Sequence, residues 1–298
     1  MLDVRRLTLL REVSLRGSMT AAARELSYSH SAVSQQLALL EKEAGIPLLE
    51  KVGRNVRLTP AGEDLVRSTE AVLTALERAE SDLAAFHERP QGVVRLVAFA
   101  TISRTVVMAA MATLATDHPG LEVRLRVADP EVAVPLLVSR QVDIVLTDAF
   151  PGTEPSPATG IDQLLLGRDP VRGYLPSGVA DDAAALPDVP WIMEPRASAA
   201  TQWALRVCRE RGFEPRIVHE SSDLLLHLQM VERGLAAAFL PDLVVRESGG
   251  STILPSPALP ADQHRSIHLL IRHGAGSRPS TIAVRTALRQ AFDEQMRH

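Results

Sequence analysis

The sequence predicts an α/β protein in three parts: a small helix-rich head that closes on a β-hairpin, one long helix, and two α/β lobes. Three observations carry this reading. Apolar residues recur at helical spacing to about residue 90, after which strand-like alternation and helix-like runs take turns. Leu65, Thr69, Val72, Leu76, Ala79, Leu83 and Phe86 are spaced alternately four and three apart, an unbroken 3.5-residue seam. Charge also reverses along the chain. Residues 1 to 62 hold nine basic and six acidic side chains, so this segment is +3, and the rest of a chain of net charge −4 carries −7. A basic head on an acidic body is expected where contact with a polyanion is confined to one end.

The elements follow in order. Leu7, Leu10 and Val13 mark a first helix that Gly17-Ser18 breaks. Ser18 or Thr20 can cap a second helix through Ala21-Ala22-Ala23, whose small side chains let a neighbour approach. After the turn Ser27-Tyr28-Ser29, Ser29 can cap a third helix with Val33, Leu37 and Leu40 on its apolar face, and Gly45 ends it. Two helices joined by a short turn, the second opening with a polar face, describe a helix-turn-helix. Leu48 to Leu58 then reads as a small hairpin with a basic tip, a wing, and Thr59-Pro60 starts a new helix that Pro90-Gln91-Gly92 stops. The seam on that helix is roughly 30 Å long at 1.5 Å per residue. Alone it leaves an apolar stripe in water, which predicts pairing with the same helix of a second copy, in a homodimer or homotetramer.

From Gly92 the order is strand (93–99), helix (103–117), alternating strand (121–127), helix (131–140) and buried strand (142–147), which implies a parallel sheet. Residues 149 to 160 read as a crossover. The second unit has strands near 164–166 and 171–175, a helix 199–211, a strand 216–220, a helix 222–233 and a strand 236–240. A last strand near 267–271 and a helix from Ser280 close the chain. The predicted boundaries are 1–62 for the head, 63–90 for the long helix and 91–298 for the two lobes, lobe I being about 91–160 with 266–298 and lobe II about 161–265.

Several chemistries find no support. The single cysteine, Cys208, cannot form an internal disulfide, and mid-helix it reads as packing rather than as a nucleophile. The nine histidines show no metal-ligand spacing, and no phosphate loop is present. No run approaches the ~20 apolar residues of a membrane helix. The expectation is a soluble, cytoplasmic protein without catalytic residues, metal or membrane contact.

Residues 7 to 62 resemble the DNA-binding region of LysR-type transcriptional regulators. The match runs through Gly17-Ser18-Met19-Thr20-Ala21-Ala22-Ala23, Ser29-His30-Ser31-Ala32-Val33-Ser34-Gln35-Gln36-Leu37, Gly45-Ile46-Pro47-Leu48-Leu49 and Arg54-Asn55-Val56-Arg57-Leu58-Thr59-Pro60-Ala61-Gly62. Met19, His30, Leu49 and Lys51 depart from the residues usual there. The rest of the chain is similar in order to the linker helix and two-lobed, periplasmic-binding-protein-like effector domain of that family. The resemblance implies a regulator that binds double-stranded promoter DNA and whose binding or activation is modulated by a small-molecule co-inducer between the lobes, with RNA polymerase as a further candidate partner. The alternatives are a binding-protein-like enzyme or carrier, and a regulator that answers to redox or metal.

On physical grounds the start of the third helix enters the major groove, with His30, Ser31, Ser34 and Gln35 near base edges and Ser29 or Gln36 near phosphate. Arg54 and Arg57 on the wing suit phosphate or the minor groove. In the lobes, two hydroxyl-rich helix starts suit a carboxylate or similar anion: Thr101, Ile102, Ser103 and Arg104 after the first strand, and Arg196, Ser198 and Thr201 in the second lobe. The competing reading of each hydroxyl is a helix cap. Asp148, Ser222 and Phe239 are added as ligand-facing positions implied by the resemblance alone.

Overall fold

In the computed structural model, residues 1–26, 28–52, 55–86, 89–153, 159–176, 183–249 and 251–297 are described. They form two compact units, Met1–Glu80 and Ser81–His298.

The first unit holds α1 (Val4–Arg16), α2 (Met19–Glu25), α3 (His30–Ala44), β1 (Leu49–Val52), β2 (Asn55–Leu58) and most of α4 (Pro60–Ala84). Each start is capped as its sequence dictates: Asp3 accepts from Arg5 and Arg6 N–H, Ser18 from Ala21 and Ser29 from Ala32. Gly17 and Gly45 end α1 and α3 in the left-handed conformation, at φ 69° and 72°. Leu10, Val33, Leu37 and Leu40 bury the helices' inner faces in one core with Leu48. Arg11, buried beside Glu12, pairs with Glu70 and so ties α1 to α4.

The wing is antiparallel, with Leu49 opposite Leu58 and Val52 opposite Asn55. The turn between, which includes Arg54, lies outside the described residues. Thr59 fixes the wing to the next helix: its backbone N–H donates to Leu48 O at 2.9 Å, its hydroxyl donates to Pro47 O at 2.9 Å, and the same hydroxyl accepts from Gly62 N–H at 3.1 Å.

Along α4 the predicted seam divides. Leu65 packs on the head's core and Thr69 is buried, whereas Val72, Leu76, Leu83 and Phe86 are exposed.

The second unit is built on a six-stranded sheet in the order β4-β3-β5-β10-β6-β9. Its strands are β3 (Gly92–Ala98), β4 (Leu121–Val127), β5 (Ile144–Ala149), β6 (Ile161–Tyr174), β9 (Ala238–Pro241) and β10 (His264–Arg272). β3 pairs in parallel with β4 and β5, as the alternating pattern requires, but β10 runs antiparallel to both β5 and β6. The sheet is therefore mixed rather than all parallel. The two strands expected near 164–166 and 171–175 are one continuous strand, β6, because Gly167 and Pro170 interrupt the sequence pattern but not the ladder. The opposite end of β6 pairs with β9. β6 and β10 thus run from one lobe into the other.

Lobe I is covered on one face by α5 (Ala100–Ile102), a π-helical turn (Ser103–Val107), α6 (Met108–Asp117) and α11 (Pro279–Arg297), and on the other by α7 (Pro130–Val138). Lobe II adds a parallel pair, β7 (Pro190–Met193) and β8 (Arg216–Glu220), with α8 (Ala199–Glu210), α9 (Leu224–Glu232) and α10 (Asp242–Glu247). β7 and α10 are too short to show a period in sequence. Trp191, Trp203, Phe213 and Phe239 form the centre of lobe II, with Trp191 stacked on Phe239 at 5.3 Å. Among the described residues no helix is long and apolar enough to cross a membrane.

Gly62 shows how tightly the wing is seated on α4. A Cβ there would lie 2.2 Å from the Leu48 carbonyl oxygen, a backbone atom with no room to yield. Gly62→Ala is expected to destabilise the first unit by roughly 1–3 kcal/mol, the usual cost of overpacking. A thermal melt of the full chain checks this, with the loss confined to the transition that abolishes DNA binding.

Candidate functional site

The first candidate surface is the N-terminal half of α3. Its apolar face is buried through Val33 and Leu37, so the opposite face is left to His30, Ser31, Ser34 and Gln35, all exposed. Ser29 is occupied as the cap, its hydroxyl accepting from Ala32 N–H at 3.1 Å. Gln36 is half-buried and accepts from Arg6 Nε at 3.0 Å, so its amide is held by the head itself. Arg57 is 72% exposed on the wing, 3.3 Å from Glu50. Four polar side chains on one exposed helical face, in a unit whose hairpin carries Lys51 and Arg57, offer donors and acceptors of the kind that base edges in a DNA major groove can pair with.

The second candidate is a cavity of about 620 Å³ between the lobes. It lies at the carboxyl end of β5 (Thr147 to Ala149, then Phe150) and takes in the starts of α7 and α8 and, from β10, His268 and Leu270. Carboxyl ends of strands with helix N-termini facing them are where open α/β folds hold ligands. Asp148, Ser198 and Ser222 line this cavity. Thr201 and Phe239 instead border an adjoining cavity of about 30 Å³, room for a water at most. Thr201 is spent there, its hydroxyl donating to Glu194 O at 2.8 Å, and Phe239 is spent on the two tryptophans. Ser198 caps α8 by accepting from Thr201 N–H at 3.1 Å.

The hydroxyl-rich segment of lobe I sits elsewhere. Thr101, Ile102, Ser103 and Arg104 are not among the lining residues of either cavity. The helix begins at Ala100, three residues before the expected start, and its cap, Phe99, offers no side-chain bond. Thr101, Ile102 and Ser103 therefore fall inside the helix and are buried. Ser103 donates to Phe99 O at 2.8 Å, Thr105 donates to Thr101 O at 2.9 Å, and Arg104 pairs with Glu247. Arg196 is exposed and outside both cavities, its carbonyl accepting from Gln202 at 2.7 Å.

What the sequence did not point to is the charge beneath and around the cavity. Arg265 on β10 is fully buried. Its guanidinium donates to Asp169 Oδ2 at 2.9 and 3.0 Å and to Asp148 Oδ2 at 3.1 Å, and it lies 5.1 Å from the Phe99 ring. Burial works against its charge, but Asp169 and Asp148 outweigh burial and raise its pKa. Glu194, at the end of β7, lines both cavities. Burial first, then Asp148, pushes its carboxyl up to about 7 against the pull of Arg265, with Asp129 and Glu131 adding to the rise. His227 Nε2 donates to Ser221 O at 2.8 Å, and burial lowers its pKa, which favours the neutral ring. Cys208 is buried, and desolvation followed by Glu214 pushes its thiol up to about 12, which removes it as a nucleophile.

A winged helix-turn-helix head joined to a two-lobed domain with a ligand-sized cleft defines a ligand-responsive DNA-binding protein. Comparison with known proteins gives the family. Residues 4–63 match the bacterial regulatory helix-turn-helix of the lysR family, and residues 87–293 match the LysR substrate binding domain. The chain belongs to the LysR family of transcriptional regulators. The chain is 30% identical over 211 residues to the RuBisCO operon transcriptional regulator of Allochromatium vinosum, covering 70% of each. It is 23% identical over 250 residues to the transcriptional dual regulator GltC of Bacillus subtilis (strain 168), covering 83% of each. Full-length OxyR from Pseudomonas aeruginosa shares the fold, at TM-score 0.65 and 18% identity over 97% of this chain and 95% of that one.

Glu194 gives the cleft a pH signature. Its folded pKa of about 7 lies above the ordinary 4.5, so the folded state binds the extra proton between these values. Stability is therefore highest in acid and is lost as pH rises through about 7, by roughly 3 kcal/mol for a shift of this size. Glu194→Gln should remove that loss. Urea unfolding of both proteins across this range checks it, the expected outcome being a flatter profile for the variant.

Proposed function

We propose that the chain acts as a cytoplasmic homo-oligomer that reads two operator half-sites through α3 and answers to an effector held in the cavity of about 620 Å³. The carrying observation is the exposed polar face of α3: His30, Ser31, Ser34 and Gln35 have an apolar face behind them and solvent in front. Gln35 is the residue suited to a bidentate pairing with adenine, worth about 1–3 kcal/mol of discrimination. Ser29 and Gln36, already bonded within the head, serve position rather than readout, and Arg57, with Arg54 beyond the described residues, supplies phosphate contact.

Support for the oligomer comes from α4, where Val72, Leu76, Leu83 and Phe86 leave an apolar stripe uncovered at coiled-coil spacing. Paired helices would set two heads apart by about one turn of DNA, roughly 34 Å, or a multiple of it. An effector that favours one separation of the lobes shifts that spacing only by its differential affinity, typically about 1–3 kcal/mol of coupling. Catalysis has no part in this reading. RNA polymerase remains the candidate partner for activation.

Base reading and phosphate contact separate experimentally. Gln35→Ala is expected to relax preference at one base pair per half-site, by about 1–3 kcal/mol. Arg57→Ala should weaken every sequence alike and reduce the salt slope by about one. Quantitative footprinting on single-base operator variants at several salt concentrations measures both, and equal loss on all sequences from Gln35→Ala would remove it from base readout.

A further inference from the structure

The cleft was expected to take an anion because helix starts face it. The side chains around it carry the opposite sign. Asp129, Glu131, Asp148 and Glu194 all line the cavity of about 620 Å³, and among the described residues no lysine or arginine does. Arg265, which lines the adjoining small cavity, is already paired with Asp169 and Asp148. Asp129 stands at the cap position of α7 without making a cap bond, and Glu131 occupies the first turn, so the dipole of that helix meets carboxylates of its own chain. Ser198 fills the same place on α8.

Magnitudes decide between the two fields. Two helix N-termini contribute about half an elementary charge each. Against them stand Asp129, Glu131 and Asp148, with Glu194 able to ionise as its pKa is about 7, while Arg265 and Asp169 cancel. The balance in the cavity is negative. Asp129 and Glu131 are exposed and Glu194 is more enclosed, so the negative groups differ in their access to solvent. The remaining wall mixes apolar Val134, Pro135, Phe150, Ile161 and Leu270 with the polar side chains of Thr147, Gln163, Ser198, Ser222 and His268. Among the described residues no group of histidine, cysteine and carboxylate side chains could hold a metal ion, so the complement of this wall is an organic cation.

We infer that the effector is a small organic cation, a protonated amine on an apolar body, whose charge sits among Asp129, Glu131, Asp148 and Glu194. This rests on the reading of the cavity as the effector site. Recognition by carboxylates also leaves the hydroxyls of Ser103, Ser198 and Thr201 free to bond their own backbone, as they do.

Matched probes of one shape and different charge test the inference: benzylamine, benzyl alcohol and benzoate, and butylamine, butanol and butyrate, each titrated calorimetrically into the full chain near neutral pH. At least one amine is expected to bind at least tenfold more tightly than its alcohol and acid. The combined substitution Asp129→Asn, Glu131→Gln and Glu194→Gln, which leaves the hydrogen bonds of Arg265 to Asp148 and Asp169 in place, should erase that preference. Acids that bind as well as amines, an amine preference that survives the triple substitution, or the failure of both amines to bind would overturn the cationic assignment. Ala197→Trp and Ser222→Trp, which crowd the cavity, separate this from the underlying reading. Amine binding undiminished in both would place the effector elsewhere, whatever its charge.

Discussion

The second unit depends on one buried cation. Arg265 stands on β10 and bonds Asp169 on β6 and Asp148 on β5, so a single guanidinium joins three strands across the centre of the sheet. Asp169 in turn accepts from Leu243 N–H at 3.2 Å, which brings in α10, and Phe99 at the end of β3 lies against the guanidinium plane. A group this deeply buried is tolerated only because its donors are met on several sides. β6 and β10 run through both lobes, so the same contact that closes the sheet also fixes the floor of the cleft.

From that floor the chemistry of the cleft follows. Burial and then the neighbouring Asp148 raise the Glu194 carboxyl, and Arg265, already bonded to Asp148, offsets that rise only in part. The hydroxyls that a sequence reader would assign to a ligand are used locally. A serine or threonine in the first turns of a helix has a backbone carbonyl within reach at every moment, and a ligand must displace it. In the head the polar face of α3 is exposed, with His30, Ser31, Ser34 and Gln35 open to a partner such as DNA.

How much of this was legible follows the range of the interactions. The head was read almost residue by residue because caps, C-terminal glycines and helical period are signals within a few residues, as at Ser29, Gly45 and Leu37. The strands β3 and β4 showed for the same reason. Arg265 did not, since its partners are 96 and 117 residues away and its flanks, His264 and Ser266, resemble a solvated strand start. Glu194 was hidden because β7 is only four residues long, so nothing marked it as the end of a strand. The helix start at Ala100 was placed late because the residue before it has no capping side chain, and that displacement puts Thr101 and Ser103 inside the helix rather than at its cap. The continuity of β6 was obscured by Gly167, where a Cβ would meet the Phe292 ring at 2.0 Å: the glycine is there for α11 to pack on the strand, not to break it.

The account turns on whether the guanidinium organises the sheet, and a double-mutant cycle on Arg265 and Asp169 addresses that directly. Arg265→Met leaves Asp169 buried without its partner and is predicted to cost about 3–5 kcal/mol in denaturant unfolding of the second unit. Adding Asp169→Asn removes the stranded charge, so the double variant should be more stable than the sum of the two single losses predicts. A near-neutral Arg265→Met, or losses that simply add, would contradict the claim that this buried pair holds the strands and the cleft together.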